Sequence, residues 1–210
     1  GAGVAAYLLA TTPGSAWTAA TLPYSALTNV AYSSIVVGNG LISVLNANAA
    51  SFGTVGALGY TSAVSVDGGV TYQATQLPAL GIYYGTGAAY GAGNVVVLQS
   101  GGTGTAVSYN AGRSWRTGAA LSATKAWAAV AYGPAQGLGG QGRFVAVNAT
   151  ASDTVTNYQD ANQLGTAWSI GGTITAGAYN TITFVNGAFV AVANTASTAA
   201  SYTTNGAVTW

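Results

Sequence analysis

Short apolar runs alternate with glycine-containing turns along the whole chain. Four mostly apolar runs stand out, at Ile42–Leu45, Val95–Leu98, Phe144–Val147 and Phe189–Val192. Short apolar runs bounded by turn residues are typical of strands that are buried on both faces. Helices are not indicated, because glycine is frequent and no apolar period of about 3.6 residues persists. The pattern predicts an all-β protein without long helices.

The same pair of hairpin-like segments recurs along the sequence. In each copy, a β-rich run, a turn and an apolar run are followed by a second strand pair that closes on an aromatic residue. The closing aromatic residues are Trp17, Tyr72, Trp115, Trp168 and Trp210. Their spacings are 55, 43, 53 and 42 residues, and a four-stranded propeller blade has about 40–50 residues. The period predicts a β-propeller of four-stranded antiparallel blades.

We expect one domain over residues 1–210, built from four blades and a half. The half blade, at 4–18, supplies only the third and fourth strands of a blade, and the last blade ends in a strand at 207–210. The full blades are predicted at 28–76, 80–119, 127–170 and 179–210. The ring is then either incomplete or completed by other material, such as a neighbouring subunit, although four blades can also close as a small ring.

The chain is almost uncharged. Its 210 residues include four Lys or Arg and three Asp or Glu, with a formal net charge of +1, whereas ordinary domains contain about 25% charged residues. Four dispersed cations cannot form the basic surface that nucleic acid requires. Membrane insertion is not expected either, because Gly, Ser, Thr and Asn interrupt every apolar run before it reaches the ~18 residues of a membrane helix.

A nearly neutral surface resists association poorly. We therefore expect the chain to work within an assembly, or covered by glycans. The expected partners are other subunits, bound through residues 1–18 and 199–210, and surface glycans.

Three segments before the closing aromatic residues match the Asp-box pattern Ser-x-Asp-x-Gly-x-Thr-Trp. They are SVDGGVTY (65–72), SYNAGRSW (108–115) and TTNGAVTW (203–210). The copy before Trp168 has extra residues and a displaced Asp160, and the copy before Trp17 is barely recognisable. The chain thus resembles Asp-box (BNR-like) β-propeller repeat proteins, including repeats in phage tail and fibre proteins.

The box residues have turn-forming roles. An Asp or Asn side chain accepts backbone N–H bonds within a tight turn, glycine supplies positive φ, and the aromatic ring packs between blades. The residues assigned to this structural role are Asp67, Gly69, Tyr72, Asn110, Gly112, Trp115, Asn205, Gly206 and Trp210.

Enzymatic groups are scarce. Sialidases share the box, and that resemblance implies an arginine triad with a Tyr–Glu pair, but the sequence has no Glu, His or Cys. A Ser-His-Asp triad and a zinc site are excluded for the same reason. Asp153 and Asp160 are the only carboxylates that lie close together in sequence. They are the candidates for a glycosidase acid pair or for a weak calcium site. We therefore predict that the chain is not an enzyme, with no catalytic residue, cofactor or metal.

The leading functional hypothesis is a structural or adhesion module of a virion (tail, fibre or decoration protein) or of an extracellular surface assembly. The alternative is a lectin-like propeller that binds a glycan or receptor, because sugars bind aromatic faces and hydrogen-bonding groups without charge. A degenerate sialidase-like hydrolase is the least expected function.

The candidate ligand residues lie on the rim opposite the boxes. They are Asn46, Asn48, Lys125, Trp127 and Tyr179. For Trp127 and Tyr179 the competing interpretation is packing in the core, because aromatic residues in strands usually pack.

Overall fold

The computed structural model describes residues 4–7, 18–23, 32–46, 61–78, 84–134, 140–194 and 199–210. These residues form seventeen strands and one short 3-10 helix, Ala161–Gln163. The strands are β1 (Val4–Tyr7), β2 (Thr18–Thr21), β3 (Tyr32–Gly38), β4 (Leu41–Asn46), β5 (Thr61–Ser65), β6 (Gln73–Gln76), β7 (Tyr84–Gly91), β8 (Asn94–Gln99), β9 (Thr105–Ser108), β10 (Arg116–Thr117), β11 (Trp127–Gly133), β12 (Arg143–Asn148), β13 (Asn157–Asp160), β14 (Ser169–Ile170), β15 (Tyr179–Val185), β16 (Ala188–Ala193) and β17 (Ala200–Thr203). The prediction of an all-β fold is confirmed. Within the described ranges, no helix has the length and apolar character needed to cross a membrane.

The strands form five antiparallel sheets in chain order. β1 and β2 pair as a two-stranded sheet. We name the others blade one (β3–β6), blade two (β7–β10), blade three (β11–β14) and blade four (β15–β17). Blades one to three have four strands each, in the order of a simple meander. The first strands of the four blades, β3, β7, β11 and β15, lie side by side in sequence order. Consecutive blades therefore pack face against face, as in a propeller.

Blade four has three strands, so the strand predicted at 207–210 is absent. In the other sheets, the fourth strand begins directly after the closing aromatic residue, as β6 does after Tyr72 and β14 after Trp168. Residues 204–208 form a turn, and Trp210 is the last residue of the sequence. The prediction placed the strand before the aromatic residue, where the chain is still turning.

Each junction between blades is an apolar core. Val95 and Val97 pack against blade one, while Val96 and Leu98, one position along, pack against blade three. All four side chains are at most 1% exposed, which explains why the run from 95 to 98 is continuously apolar. A branched residue that follows each fourth strand also enters a junction: these residues are Leu77, Leu121 and Ile174.

At each junction, the first strand of one blade ends in a glycine, and an aromatic ring from the next blade packs directly against it. The three pairs are Gly38 with Tyr90, Gly91 with Tyr132 and Gly133 with Phe184. A Cβ atom added at these glycines would lie 2.2, 1.9 and 2.6 Å from the ring, which is closer than atoms can approach. The missing side chain therefore sets the distance between neighbouring blades.

We expect Val147→Ala to lower the free energy of unfolding by about 2 kcal/mol, since it removes buried methyl groups and leaves a cavity. Val147 is fully buried between blades three and four. The matched control is Val66→Ala, in the turn after β5, where the valine is 50% exposed and the cost should stay within about 0.5 kcal/mol. Urea titration measures both, and equal losses would contradict the burial of the junction.

Candidate functional site

Three turns, at 65–72, 108–115 and 203–210, share one hydrogen-bond pattern, and we call them box turns. In the first, the Ser65 hydroxyl accepts the N–H of Gly69 at 2.8 Å and donates to Asp67 Oδ1 at 2.8 Å. The Asp67 carboxylate accepts the Thr71 N–H at 2.9 Å and the Thr71 hydroxyl at 2.6 Å. The hydroxyl and backbone hydrogen bonds from Thr71, followed by that from Ser65, lower the pKa of Asp67 to about 2.

The other two box turns keep the pattern without a charge. Asn110 Oδ1 accepts the Ser114 N–H at 2.9 Å, and Asn110 Nδ2 donates to the Ser114 hydroxyl at 2.9 Å. Asn205 makes the same two bonds to Thr209, at 3.0 and 2.8 Å. An amide can replace the carboxylate in these turns, because its Nδ2 donates a hydrogen bond to the hydroxyl. In the first box turn the corresponding hydroxyl donates to the Asp67 carboxylate instead.

In the second and third box turns, the closing tryptophan ties the turn to the preceding blade. Trp115 Nε1 donates to the Thr75 hydroxyl of blade one at 3.3 Å, and Trp210 Nε1 donates to the Thr156 hydroxyl of blade three at 3.2 Å. Ser43 of blade one donates to the Ala111 carbonyl in the second box turn at 2.9 Å. These contacts hold the second and third box turns against the neighbouring blade.

Blade three contains a buried ion pair. Arg143 Nε lies 2.6 Å from Asp160 Oδ1, and the two residues are 1% and 6% exposed. The guanidinium stacks over the Tyr158 ring at 4.1 Å and donates to the Gly206 carbonyl of blade four at 3.0 Å. Because these contacts occupy Nε, Nη1 and one face of the guanidinium, the pair serves to fix blade three against the third box turn.

The two acids considered for calcium each have their own cation. Asp153 Oδ2 lies 2.6 Å from Lys125 Nζ, while Asp160 pairs with Arg143. Burial raises the pKa of Asp153, but the Lys125 ammonium and the Val155 N–H lower it by more, so the pKa lies below its usual value. Among the residues described, no group of three or more potential metal-binding side chains is present.

Two of the predicted ligand residues, Trp127 and Tyr179, lie in the core. Trp127 is fully buried and its indole donates to the Ala123 carbonyl, and Tyr179 is 1% exposed. Neither ring presents a face to a ligand in this structure. Lys125 forms the ion pair with Asp153, Asn46 is the last residue of β4, and Asn48 lies outside the described residues.

One face of blade four has no covering sheet among the residues that the structure describes. Val190 and Val192 take the same register positions in β16 as Val145 and Val147 take in β12. Val145 and Val147 are fully buried by the following blade, whereas Val192 is 48% exposed. We call this surface the blade-four face; its residues are Thr181, Thr183, Val185, Val190, Val192 and Tyr202.

On its opposite side, blade one is only partly covered, because Val44, the cross-strand partner of Ile35, is buried in a cluster with Leu22, which follows β2. Val36 packs into the junction with blade two, and its neighbours Ile35 and Val37 point the other way, with 64% of each exposed. Val37 lies opposite Ile42 in the sheet. We call Ile35, Val37 and Ile42 the blade-one face. Isolated exposed valines are ordinary, but β-branched side chains grouped on one sheet face are typical of an interaction surface.

A groove of about 410 Å³ runs along β17. It lies beside the edge strand of blade four, on the side where a fourth strand pairs in blades one to three. Five threonines line it together with Ser201, Tyr202 and Trp210. Its surface therefore offers hydroxyl groups and aromatic rings without any charge.

Sequence reasoning did not find these faces or the groove. The sequence does contain a signal for the blade-four face, because the apolar run in blade four has the same form as the runs in blades two and three. Exposure, however, depends on what covers the run, and periodicity does not carry that information.

Solved structures resemble this fold. YCF48 bound to D1 peptide is 15% identical, with a TM-score of 0.58, over 92% of this chain and 56% of that chain. YCF48 from Cyanidioschyzon merolae is 13% identical, with a TM-score of 0.51, over 90% of this chain and 62% of that chain. The chain therefore spans just over half the length of these structures. They support the propeller fold alone. No protein-family model and no curated protein sequence matches the chain.

The prediction that the chain is not an enzyme needs correction. Several other matching structures are glycoside hydrolases, among them the GH74 enzyme of Niastella koreensis at 13% identity, a TM-score of 0.46, and 86% of this chain against 30% of that one. A xylosidase, an arabinofuranosidase and the phage phi92 endosialidase also match, at 11% identity. Propellers of this kind do carry enzymes, so the exclusion no longer holds. These distant matches do not assign an activity either.

We expect Asp67→Asn to remove a component of the acid sensitivity of folding. The folded pKa of about 2 lies below the ordinary value of 3.8, so the carboxylate stabilises the fold above about pH 4 and loses that effect as the pH falls towards 2. Thermal melts should show a smaller loss of stability between these pH values for the variant than for the wild type.

The matched control for this pH experiment is Asn110→Asp, which places a carboxylate in the second box turn. It should add acid sensitivity in the same pH range. Parallel pH profiles for all three proteins would contradict the assigned hydrogen bonds.

Proposed function

We propose that the chain is an assembly module that binds other subunits through uncovered blade faces. The observation that carries the proposal is Val192, which is 48% exposed where the equivalent Val147 is fully buried. Apolar burial contributes roughly 25 cal/mol per Å². A blade face that has the register of a junction, but no covering sheet among the described residues, is therefore a surface that gains free energy by finding one.

The charge distribution supports the same function. All residues of the blade-four and blade-one faces are uncharged, so two such faces can meet without desolvating an ion. With a net charge of +1, copies of the chain repel each other little. The partner that fits is an uncharged apolar sheet face.

The setting we propose is a virion tail, fibre or decoration structure, or an extracellular surface assembly. We infer that the three box turns are Asp boxes, on the strength of their sequence pattern and of the shared bonds of Asp67, Asn110 and Asn205. Repeats of this kind in phage tail and fibre proteins motivate the setting. The proposed contacts include part of the segment 199–210, through Tyr202, which is 68% exposed.

We expect the wild-type chain to self-associate at micromolar concentrations and Val192→Asp to weaken that association about tenfold or more, because a carboxylate would have to be buried. Sedimentation velocity measures both. Val66→Asp is the control, since this valine is similarly exposed but lies in a box turn. Circular dichroism checks that both variants fold. A wild-type chain that remains monomeric would overturn the proposal.

Glycan binding is a second candidate, and the groove along β17 favours it. Sugars bind aromatic faces and hydroxyl groups without charge, and Tyr202, Trp210 and five threonines provide both.

If glycans bind there, a glycan array should give hits that Tyr202→Ala weakens about tenfold or more, since the exposed ring loses its contact with the sugar. Tyr109→Ala is the control, because Tyr109 is a 52% exposed tyrosine in the second box turn. An array without hits, or equal losses in both variants, would exclude the groove as a glycan site.

A further inference from the structure

Three asparagines of the chain are followed directly by glycine, and all three lie in turns. They are Asn39, Asn186 and Asn205. In an Asn-Gly pair, the backbone nitrogen of the glycine can attack the side-chain amide carbon of the asparagine and close a cyclic imide. Glycine favours this step because it has no side chain to hinder the approach. The surroundings of the three pairs differ, and these differences decide which of them can react.

Asn39 and Asn186 occupy the same place in two blades. Each is the first residue of the turn that joins the first and second strands, with φ of 51° and 48°, and the glycine after it also has a positive φ. Two successive positive φ angles are typical of the type I′ hairpin turn, for which Asn-Gly is a preferred sequence. In blade two the same position is taken by Ala92, with φ of 48°. The turn therefore requires the backbone conformation but not the asparagine side chain.

The surroundings of Asn39 and Asn186 leave room for ring closure. Both residues are exposed, and within the described ranges their side-chain amides form no hydrogen bond. A Cβ atom added at Gly40 or Gly187 would have no atom within 4 Å, so the space beside each attacking nitrogen is open. The N–H groups of these two glycines donate to no other described residue. Loss of the N–H proton, which makes the nitrogen a nucleophile, therefore breaks no hydrogen bond.

Asn205 is exposed as well, but its amide is held at both ends. Oδ1 accepts the Thr209 N–H at 3.0 Å and the Thr203 hydroxyl at 2.8 Å, and Nδ2 donates to the Thr209 hydroxyl at 2.8 Å. The amide carbon can reach the Gly206 nitrogen only after these bonds have broken. Together they should slow ring closure about tenfold or more.

We infer that Asn39 and Asn186 are sites of spontaneous deamidation, and that the third box turn protects Asn205. A bond forms between the glycine nitrogen and Cγ of the asparagine, while the bond from Cγ to Nδ2 breaks. The amide leaves as ammonia, with the proton that the glycine nitrogen has lost. Water then adds to either carbonyl of the imide and opens it to aspartate or isoaspartate. Water is the co-reactant, and nothing is oxidised or reduced.

Deamidation changes the charge of the chain and disturbs the blade junctions. Each event adds one negative charge, so two events take the formal net charge from +1 to −1. Isoaspartate also inserts a carbon atom into the backbone. Asn39 directly follows Gly38, the residue on which the Tyr90 ring packs. Asn186 stands two residues after Phe184, which makes the equivalent contact at the next blade pair but one. We therefore expect the protein to lose stability as it ages.

Peptide mapping by mass spectrometry, during incubation of the folded chain at mildly alkaline pH, tests the inference. Deamidation at Asn39 and Asn186 should accumulate about tenfold faster than at Asn205. In concentrated urea the three rates should become similar, because the hydrogen bonds that protect Asn205 are lost.

Three variants provide matched controls. Asn39→Ala and Asn186→Ala should each abolish deamidation at one site and keep the turn, as Ala92 does in blade two. Each should also reduce the fall in melting temperature during incubation. Thr209→Val removes a hydroxyl from the amide of Asn205 and should accelerate deamidation at that residue without affecting the other two.

The outcomes that would overturn the inference are distinct. If Asn39 and Asn186 stay intact in the folded chain but react in urea, the hairpin turns are protected and the assigned sites are wrong. Equal rates at all three asparagines in the folded chain would contradict the protection of Asn205 by Thr203 and Thr209.

Discussion

Packing of one sheet on the next is the interaction on which this structure depends. In blade two, alternate residues of a single strand serve two different junctions, because Val96 and Leu98 point towards blade three while Val95 and Val97 point towards blade one. A sheet of this kind has no solvent side along its inner strands. A blade with one neighbour therefore retains an apolar face.

The junctions are set by close contact at one end and by polar contacts near the box turns. Glycines such as Gly91 bring a ring of the next blade directly against the backbone. The box turns are held internally by hydroxyl and amide groups, and Trp115 and Trp210 connect them to the preceding blade. Arg143 and Asp160 add a buried ion pair, and Arg143 also donates a hydrogen bond to the Gly206 carbonyl in the next blade. Such a pair contributes little net stability, but removing one partner would leave a buried charge, so it fixes the arrangement of the two blades.

The low charge of the chain follows from the same construction. Faces that pack closely on both sides tolerate few ions, and the described ion pairs neutralise Lys125 and Arg143 with Asp153 and Asp160. Asn205 replaces the acid in one box turn at no loss of hydrogen bonds. Asp67, Arg113 and Arg116 are exposed, and much of the remaining surface is apolar or hydroxyl-bearing.

The sequence by itself determined the class of fold, the repeat and the position of the box turns. Strand alternation and turn chemistry are local, so a run such as Val95–Leu98 or a turn such as 65–72 carries its own signal. The tertiary structure decided what the repeat could not express. It placed Trp127 and Tyr179 in the core, paired Lys125 with Asp153, and ended blade four at β17. It also showed that Val192 is exposed where Val147 is buried. These two valines stand in the same local pattern, and only the presence or absence of a covering sheet, made of residues distant in sequence, distinguishes them.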